Sequence, residues 1–447
     1  MTPVKKILRN AGLLFSSQIV VGIATLIQGV IVARSLGASD YGVMGVAIAY
    51  ALMVYRIFDC RVWEAITKFI PQFTGRDEHE AADAVLRFCL WIELATGLIA
   101  AAIVWFSADW AERTIFHGAA SASWIRLASF LVVLRIPFEI AKALLRLADR
   151  FGQLAKQIAF ISVVQLLLVA AICLSGATIQ RLLVVHLVTT AINCVIFSAA
   201  AYKASHQLQL HILRTPRWSA LQGHWRDFLS FLVMTNLNAT SRFANKIDLI
   251  VVGWFGTMSD VGIYQVAMKA TQLLAMPAAA LRQAIFPEMS KLAAGGNPDQ
   301  LRRLPWQLTR LIALGFFPIC LLATVAAPWC VPWALGAEYA AATLLVQILV
   351  WNGLGRSLVW FHPYLLSTGR TRAALIFQFV VTVLNTAMLA FMTQAWGVVG
   401  AAISRTARVP IQAALVWVTL SPPSPFGRKS QPREQTPAVP APRGLIK

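Results

Sequence analysis

Twelve long, predominantly apolar stretches divide this 447-residue chain, and each is long enough to cross a lipid bilayer as an α-helix. A membrane-spanning helix needs about 20 mostly apolar residues. Charged residues make up only 13% of the sequence, against roughly 25% in a soluble domain, so the chain cannot cover a water-facing surface. We therefore predict an all-α polytopic membrane protein. Its spans are expected at roughly 11–33, 41–66, 84–107, 124–146, 154–175, 181–202, 227–254, 261–288, 308–330, 340–366, 373–394 and 397–420.

Lysine and arginine are distributed unequally between the two sides that alternating spans define. With a cytoplasmic N-terminus, 26 of them fall at inner connections or span ends, whereas only Arg34, Arg113 and Arg181 fall at outer connections. The positive-inside rule predicts this asymmetry. We therefore expect both termini in the cytoplasm. The net charge of +20 then reflects membrane topology, and we expect no nucleic-acid partner.

An internal repeat indicates two similar halves. Residues 39–47 align with residues 259–267 at an offset of 220, and five of the nine positions are identical. Six spans in each half would give two parallel repeats, a transporter architecture in which one bundle rocks against the other. The predicted units are an N-terminal six-helix bundle (1–203), a basic cytoplasmic linker (204–226), a C-terminal six-helix bundle (227–420) and a disordered Pro-rich cytoplasmic tail (421–447).

Two blocks of sequence resemble bacterial polysaccharide flippases of the Wzx type. Segment 31–42, which contains Arg34, Gly37, Tyr41 and Gly42, is similar to the family pattern Ala-Arg-x-Leu-Gly followed after a short gap by Tyr-Gly. Segment 246–269 resembles the seventh-to-eighth helix region of the same family. The resemblance implies two pseudo-symmetric six-helix bundles, similar to multidrug and toxic compound extrusion (MATE) transporters. Those transporters belong to the multidrug/oligosaccharidyl-lipid/polysaccharide exporter (MOP) superfamily.

The resemblance also implies a function in surface polysaccharide biosynthesis, for lipopolysaccharide or exopolysaccharide. A polyprenyl-pyrophosphate-linked oligosaccharide would be moved from the cytoplasmic to the periplasmic leaflet of the bacterial inner membrane by alternating access. Membrane lipids, a polysaccharide polymerase and the chain-length machinery would be the other partners. We expect no enzymatic activity and no cofactor other than a coupling H⁺ or Na⁺. Lipid II flippases of the superfamily carry two extra C-terminal helices, so twelve spans argue against that branch.

Ionisable residues inside predicted spans are costly and therefore mark candidate transport sites. In the fourth span, residues 135, 139, 142 and 146 share one helical face, and Glu139 can pair with Arg135 and Lys142, which leaves net positive charge. A pyrophosphate headgroup carries about two negative charges, for which Lys and Arg are natural partners. The predicted cationic lumen consists of Arg56, Arg135, Lys142, Arg242, Lys246, Lys269 and Arg356. Asp59, Glu139 and Asp248 are predicted to bind a coupling ion or to pair with these cations, and pairing is favoured.

Other interpretations stay open. Some of these charges could be snorkelling side chains or structural ion pairs. A drug or cation exporter of the same fold would want an acidic lumen, which the predominance of deep basic residues disfavours. A membrane-embedded glycan polymerase or ligase would need a large periplasmic loop with catalytic residues, and the outer connections are short. The six cysteines have no CxxC spacing, so no metal site is predicted.

Overall fold

The computed structural model describes residues 3–211, 218–240, 247–272, 298–358 and 371–420. Within these ranges the regular structure is helical, with short 3-10 turns and no strand. The helices are α1 (Pro3–Phe58), α2 (Val62–Thr74), α3 (His79–Phe106), α4 (Ala108–Thr114), α5 (Ala122–Arg135), α6 (Pro137–Leu147), α7 (Phe151–Leu174), α8 (Ile179–Gln207), α9 (Trp225–Thr240), α10 (Asp248–Phe255), α11 (258–272), α12 (Pro298–Leu335), α13 (Ala342–Leu358) and α14 (Thr371–Leu420).

The described part of each predicted span falls on one or two of these helices. Among the described residues, six helical segments are long and apolar enough to cross a membrane. Two of them, Gly12–Thr74 and Phe379–Arg408, run through two predicted spans each. Large apolar side chains lie exposed along the helices, as at Trp91 (61%) and Leu322 (69%), which suits a surface that contacts lipid tails. Parts of the predicted spans 227–254, 261–288 and 340–366 lie outside the described residues.

The helices have three backbone breaks, each at a glycine or a proline. Two of the breaks separate neighbouring predicted spans, and one lies within a predicted span. Gly37 (φ 78°) divides α1 into a first arm, 3–36, and a second arm, 38–58. Pro137 starts α6 directly after α5 ends, so the predicted fourth span is bent at its proline. Gly397 (φ 58°) separates the last two predicted spans within α14. Glycine tolerates both positive φ values because it lacks a Cβ atom.

A further break interrupts the predicted span 41–66. The backbone N–H of Arg61 donates to Asp59 Oδ1 at 3.0 Å, and Arg61 itself adopts φ 48°. An aspartate that accepts a hydrogen bond from the backbone two residues later forms a turn and thereby competes with the helix. The second arm of α1 therefore has a break at each end, Gly37 at one and Asp59–Arg61 at the other.

Two apolar clusters hold the helices together. One contains buried side chains from both predicted bundles, including Tyr41, Tyr264 and Tyr339, each at most 1% exposed. The other is formed mainly by α2, α3, α6, α8 and α9, where Phe69 packs edge-on against Phe228 with ring centroids 5.3 Å apart. Helix α9, the first part of the predicted span 227–254, thus packs on helices of the predicted N-terminal bundle.

The first part of the predicted linker, which the structure describes up to residue 211, is hydrogen-bonded to α3. The guanidinium of Arg87 donates to the carbonyl oxygen of His211 at 2.6 Å, and the backbone N–H of His211 donates to Asp83 Oδ1 at 2.8 Å. Arg87 is only 4% exposed. The backbone N–H and C=O groups of His211, a residue of the predicted linker, are therefore both hydrogen-bonded to α3.

Candidate functional site

The repeated segments cross each other at the end of the molecule that the charge distribution predicts to be outside. A Cβ atom on Gly42, in the second arm of α1, would overlap the carbonyl oxygen of Met258 at the start of α11. A Cβ atom on Gly262 would likewise overlap the carbonyl oxygen of Ala38. Each member of these pairs lies 220 residues from its counterpart, so the contact is pseudo-symmetric. Glycine allows the two backbones to approach this closely.

The outer connection of the C-terminal half contacts the break of α1. Arg34 Nη2 donates to the carbonyl oxygen of Trp333 at 2.5 Å. The backbone N–H of Ala38, the first residue of the second arm, donates to Glu338 Oε1 at 2.7 Å. A carboxylate at a helix N-terminus satisfies an otherwise unpaired N–H group and interacts favourably with the helix dipole. Glu338 therefore stabilises the second arm from the opposite half.

A matching contact connects the outer connection of the N-terminal half to α10. His117 Nε2 lies 3.3 Å from the carbonyl oxygen of Trp254, and the rings of Trp110 and Trp254 pack with centroids 5.9 Å apart. Trp254 follows Arg34 by the same 220 residues. Each repeat therefore contacts the outer connection of the other half. We call this set the outer closure: Arg34, Ala38, Gly42, His117, Trp254, Met258, Gly262, Trp333 and Glu338.

The four motif residues of the first block, within segment 31–42, lie at this junction. Gly37 makes the break of α1 and lies against Glu338, since a Cβ atom there would be 3.3 Å from Glu338 Oε1. The ring of Tyr41 lies 5.3 Å from Lys269 Nζ on α11. Lys269, predicted as a lumen cation, thus makes a cation–π contact between the two halves. The motif residues that contact the C-terminal half are Arg34, Gly37, Tyr41 and Gly42.

A polar cavity of about 230 Å³ lies inside the N-terminal half, between α5, α6, α7 and α8. It combines two predicted lumen cations with uncharged hydrogen-bonding side chains and apolar rings. Buried polar groups among membrane helices are expensive, so their concentration in one cavity indicates a polar ligand or water. Its lining residues are Arg135, Phe138, Lys142, Ile158, Ile161, Gln165, Thr189, Thr190, Asn193 and Phe197.

The cations of this cavity are in different environments. Lys142 Nζ donates to Glu139 Oε1 at 2.6 Å. The guanidinium of Arg135 lies 5.8 Å from the centroid of the Phe138 ring and makes no ion pair with a carboxylate among the described residues. Glu139 thus forms an ion pair with Lys142 and none with Arg135. Arg135 keeps its charge available to a ligand.

Beside the cavity, the second arm of α1 carries two more polar contacts. Arg56 Nη1 pairs with Asp59 Oδ2 at 3.1 Å. Tyr55 donates its hydroxyl to Glu93 Oε1 on α3 at 2.7 Å, and Glu93 is fully buried. Asp59 and Glu139 therefore each pair with a predicted cation, whereas Glu93 accepts a hydrogen bond from a tyrosine.

In the C-terminal half, Asp248 at the start of α10 forms an ion pair with Arg405 on α14. The side chains of Asp248 and Arg405 are 2% and 13% exposed, and Tyr264 donates its hydroxyl to Asp248 Oδ2 at 3.4 Å. Asn352 on α13 donates to the carbonyl oxygen of Arg405. This buried pair connects α10, α11, α13 and α14.

Three predicted lumen cations cannot be placed in this arrangement. Arg242 and Lys246 lie outside the described residues. The backbone of Arg356 belongs to α13, and its side chain also lies outside the described part.

Sequence reasoning missed Arg405, Glu93 and the uncharged polar wall of the cavity. Arg405 and Arg408 stand within the predicted last span, so their charge was a usable signal there. Glu93 was a single acidic residue in an apolar run, and nothing in the sequence connects it with Tyr55. Gln165 and Asn193 carry no charge, and their convergence depends on helix packing.

A family model described as polysaccharide biosynthesis protein matches residues 31–344, which is more than half of the chain and includes both motif blocks. This match confirms the resemblance found in the sequence. No curated protein matches the chain.

The chain is similar in fold to several solved structures. An inward-facing multidrug resistance MATE family transporter of the MOP superfamily has a TM-score of 0.70 at 13% identity, covering 89% of this chain and 94% of that one. Lipid II flippase MurJ in an inward closed conformation has a TM-score of 0.66 at 14% identity. The match covers 91% of this chain and 87% of that one. An outward-facing multidrug resistance MATE family transporter has a TM-score of 0.59 at 14% identity. The match covers 94% of this chain and 95% of that one. The predicted MATE-like polytopic helical fold is thereby confirmed.

Proposed function

We propose that this chain, which belongs to the polysaccharide biosynthesis protein family, is a flippase for polyprenyl-diphosphate-linked oligosaccharides. It moves them from the cytoplasmic to the periplasmic leaflet of a bacterial inner membrane, with both termini in the cytoplasm. The family match supports a role in polysaccharide biosynthesis, and the fold is that of multi-pass membrane transporters.

The polar cavity among α5–α8 is the observation that carries the proposal. Arg135 and Lys142 supply cationic donors for the diphosphate, and charge-assisted hydrogen bonds to phosphate are strong. Thr189, Thr190 and Asn193 supply neutral donors and acceptors of the kind that sugar hydroxyl groups use. The polyprenyl tail stays in the bilayer, where the lipid-facing helix surfaces are apolar.

The outer closure supports transport by alternating access. The two halves meet through equivalent residues of a repeat, so a rocking motion that separates Gly42 from Gly262 would open the molecule on the outer side. The cavity would then be open to the substrate from the cytoplasmic side in the outer-closed form and from the periplasmic side in the outer-open form. An inside-negative membrane potential favours outward movement of the anionic headgroup by roughly 2.3 kcal/mol per charge per 100 mV.

We expect Arg135→Gln and Lys142→Gln each to slow flipping tenfold or more, because a hydrogen bond to a charged group contributes about 1.5–3 kcal/mol. The measurement uses proteoliposomes that contain the full chain and a polyprenyl diphosphate disaccharide. Sugar that reaches the outer leaflet is scored by its accessibility to an impermeant lectin.

Arg126→Gln is the matched control, because Arg126 lies on the same helix, α5, but pairs with the exposed Asp109. It should flip the probe at the wild-type rate. A wild-type chain that leaves the lipid unmoved while exporting cationic dyes would instead identify a drug exporter. Normal flipping by both cavity variants would exclude this cavity as the headgroup site.

A further inference from the structure

Glu93 is the one buried carboxylate of the described N-terminal half that lacks a cationic partner there. One of its oxygens accepts the hydroxyl proton of Tyr55 at 2.7 Å. The other oxygen is buried and accepts no hydrogen bond from any described residue, and Glu93 is 0% exposed. By contrast, Asp59 and Glu139 each pair with a cation, at 3.1 and 2.6 Å.

The surroundings of Glu93 favour its neutral acid. Arg56, the cation within electrostatic range of Glu93, is already bound to Asp59. An ionised carboxylate that is buried without a paired charge is far more costly than a neutral acid that makes one hydrogen bond. The titratable or charged groups that face Glu93 are Tyr55 and Arg56 from α1, Asp59 and Cys60 from the turn after it, Cys89 from α3 and Glu139 from α6.

The second arm of α1 connects this acid to the outer closure. Its outer end carries Gly42, which packs on α11, and its inner end carries Tyr55. Both ends are backbone breaks, at Gly37 and at Asp59–Arg61, so the arm can tilt as one piece. A tilt that separates Gly42 from α11 would also move Tyr55 relative to α3.

We propose that Glu93 is the proton-carrying carboxyl of the transport cycle, with Tyr55 as its positioning residue. In the outer-closed form the arm holds Glu93 neutral and shielded. When the outer closure opens, the arm withdraws Tyr55, and the carboxyl exchanges its proton with water. The carboxyl gives its proton to water on the outer side, and the carboxylate takes up a proton from the cytoplasmic side as the outer closure re-forms. One proton therefore crosses the membrane in each cycle, and no covalent bond between heavy atoms changes. The inference rests on the proposed flippase function, which supplies the cycle.

Infrared spectroscopy of the full chain in lipid bilayers tests the proton site without any substrate. The carbonyl stretch of a protonated carboxyl should be present at neutral pH and absent in Glu93→Gln. It should remain in the control Asp109→Asn, which removes an exposed carboxylate on α4. Tyr55→Phe should keep the band but shift its frequency, since only the hydrogen bond is removed. A wild-type spectrum without the band, or an unchanged band in Glu93→Gln, would overturn the proposal.

Proteoliposomes with an imposed pH gradient then test the coupling. The gradient should change the wild-type flipping rate of the polyprenyl diphosphate disaccharide, whereas Glu93→Gln should flip equally fast with and without it. If wild type flips the probe but ignores the gradient, or Glu93→Gln still responds, Glu93 is not the coupling residue and the flippase function stands. If wild type does not flip the probe at all, the proposed function itself fails, and the infrared result remains a separate test of the proton site.

Discussion

Replacing Gly42 by valine is expected to hold the molecule open on its outer side and to slow flipping strongly. A Cβ atom alone would overlap the carbonyl oxygen of Met258, and the neighbour is backbone that cannot rotate away. Overpacking of a close contact costs about 1–3 kcal/mol, occasionally more. A cost of that size shifts the equilibrium constant between the outer-closed and outer-open forms by about 5–150-fold toward the open form. Since every cycle must pass through that form, turnover should fall by a similar factor.

Gly262→Val should reproduce the effect, because its Cβ atom would overlap the carbonyl oxygen of Ala38 across the same pseudo-symmetric crossing. The double variant should cost less free energy than the sum of the two single variants, since both residues belong to one crossing. Gly315→Val on α12 is the matched control, because a Cβ atom there meets nothing within 4 Å.

The measurement is the distance between spin labels at Ala119 and Ala340, two exposed positions in the outer connections of opposite halves. The distance should lengthen in Gly42→Val and Gly262→Val and stay unchanged in Gly315→Val. Wild-type distances and normal flipping in both crossing variants would show that the glycine contact does not control the outer side.

The span pattern could be predicted from the sequence because hydrophobic length is a local property. The breaks at Gly37, Pro137 and Gly397 follow from residues whose backbone preferences are known in advance. The break at Asp59–Arg61 was missed, although an aspartate that bonds the backbone two residues later is a familiar turn. In a run of apolar residues, that local signal is weaker than the hydrophobic pattern around it.

The candidate site was only partly predictable, because a sequence shows which residues are charged but does not show which residues they contact. Arg135 and Lys142 were found as intramembrane cations, and the structure places them in one cavity. The partners of Gly42 and Tyr41 lie more than 200 residues away, so the sequence could show a motif without showing that it forms a junction between halves. Glu93 and Tyr55 are 38 residues apart and meet only through the packing of α1 on α3.

Breaking the buried pair of Asp248 and Arg405 is expected to destabilise the C-terminal half strongly. Arg405→Met would leave Asp248 buried at 2% exposure without its cation. Removing one partner of a buried ion pair costs about 3–5 kcal/mol, because the remaining charge is uncompensated. Asp248→Asn should be at least as damaging, since Arg405 also lies within electrostatic range of Arg408.

The double variant Asp248→Asn/Arg405→Met should recover most of the loss, because no charge of the pair is then left alone. Thermal unfolding of the four proteins in lipid nanodiscs gives the coupling energy as a double-mutant cycle. The pair Asp109–Arg126 provides a matched cycle with the same residue types, 2.6 Å apart but exposed by 57% and 34%. Its coupling should be about 0–1 kcal/mol.

The size of the coupling also decides what Asp248 does. A large favourable coupling means that Asp248 is held as a carboxylate against Arg405, which argues against proton exchange at Asp248. A coupling as small as that of Asp109–Arg126 would mean that the pair is easily exchanged for a proton, and Asp248 would then compete with Glu93 as the coupling carboxyl. The contrast follows from the partners: Asp248 has an arginine against it, whereas Glu93 has a tyrosine and an oxygen that accepts no hydrogen bond.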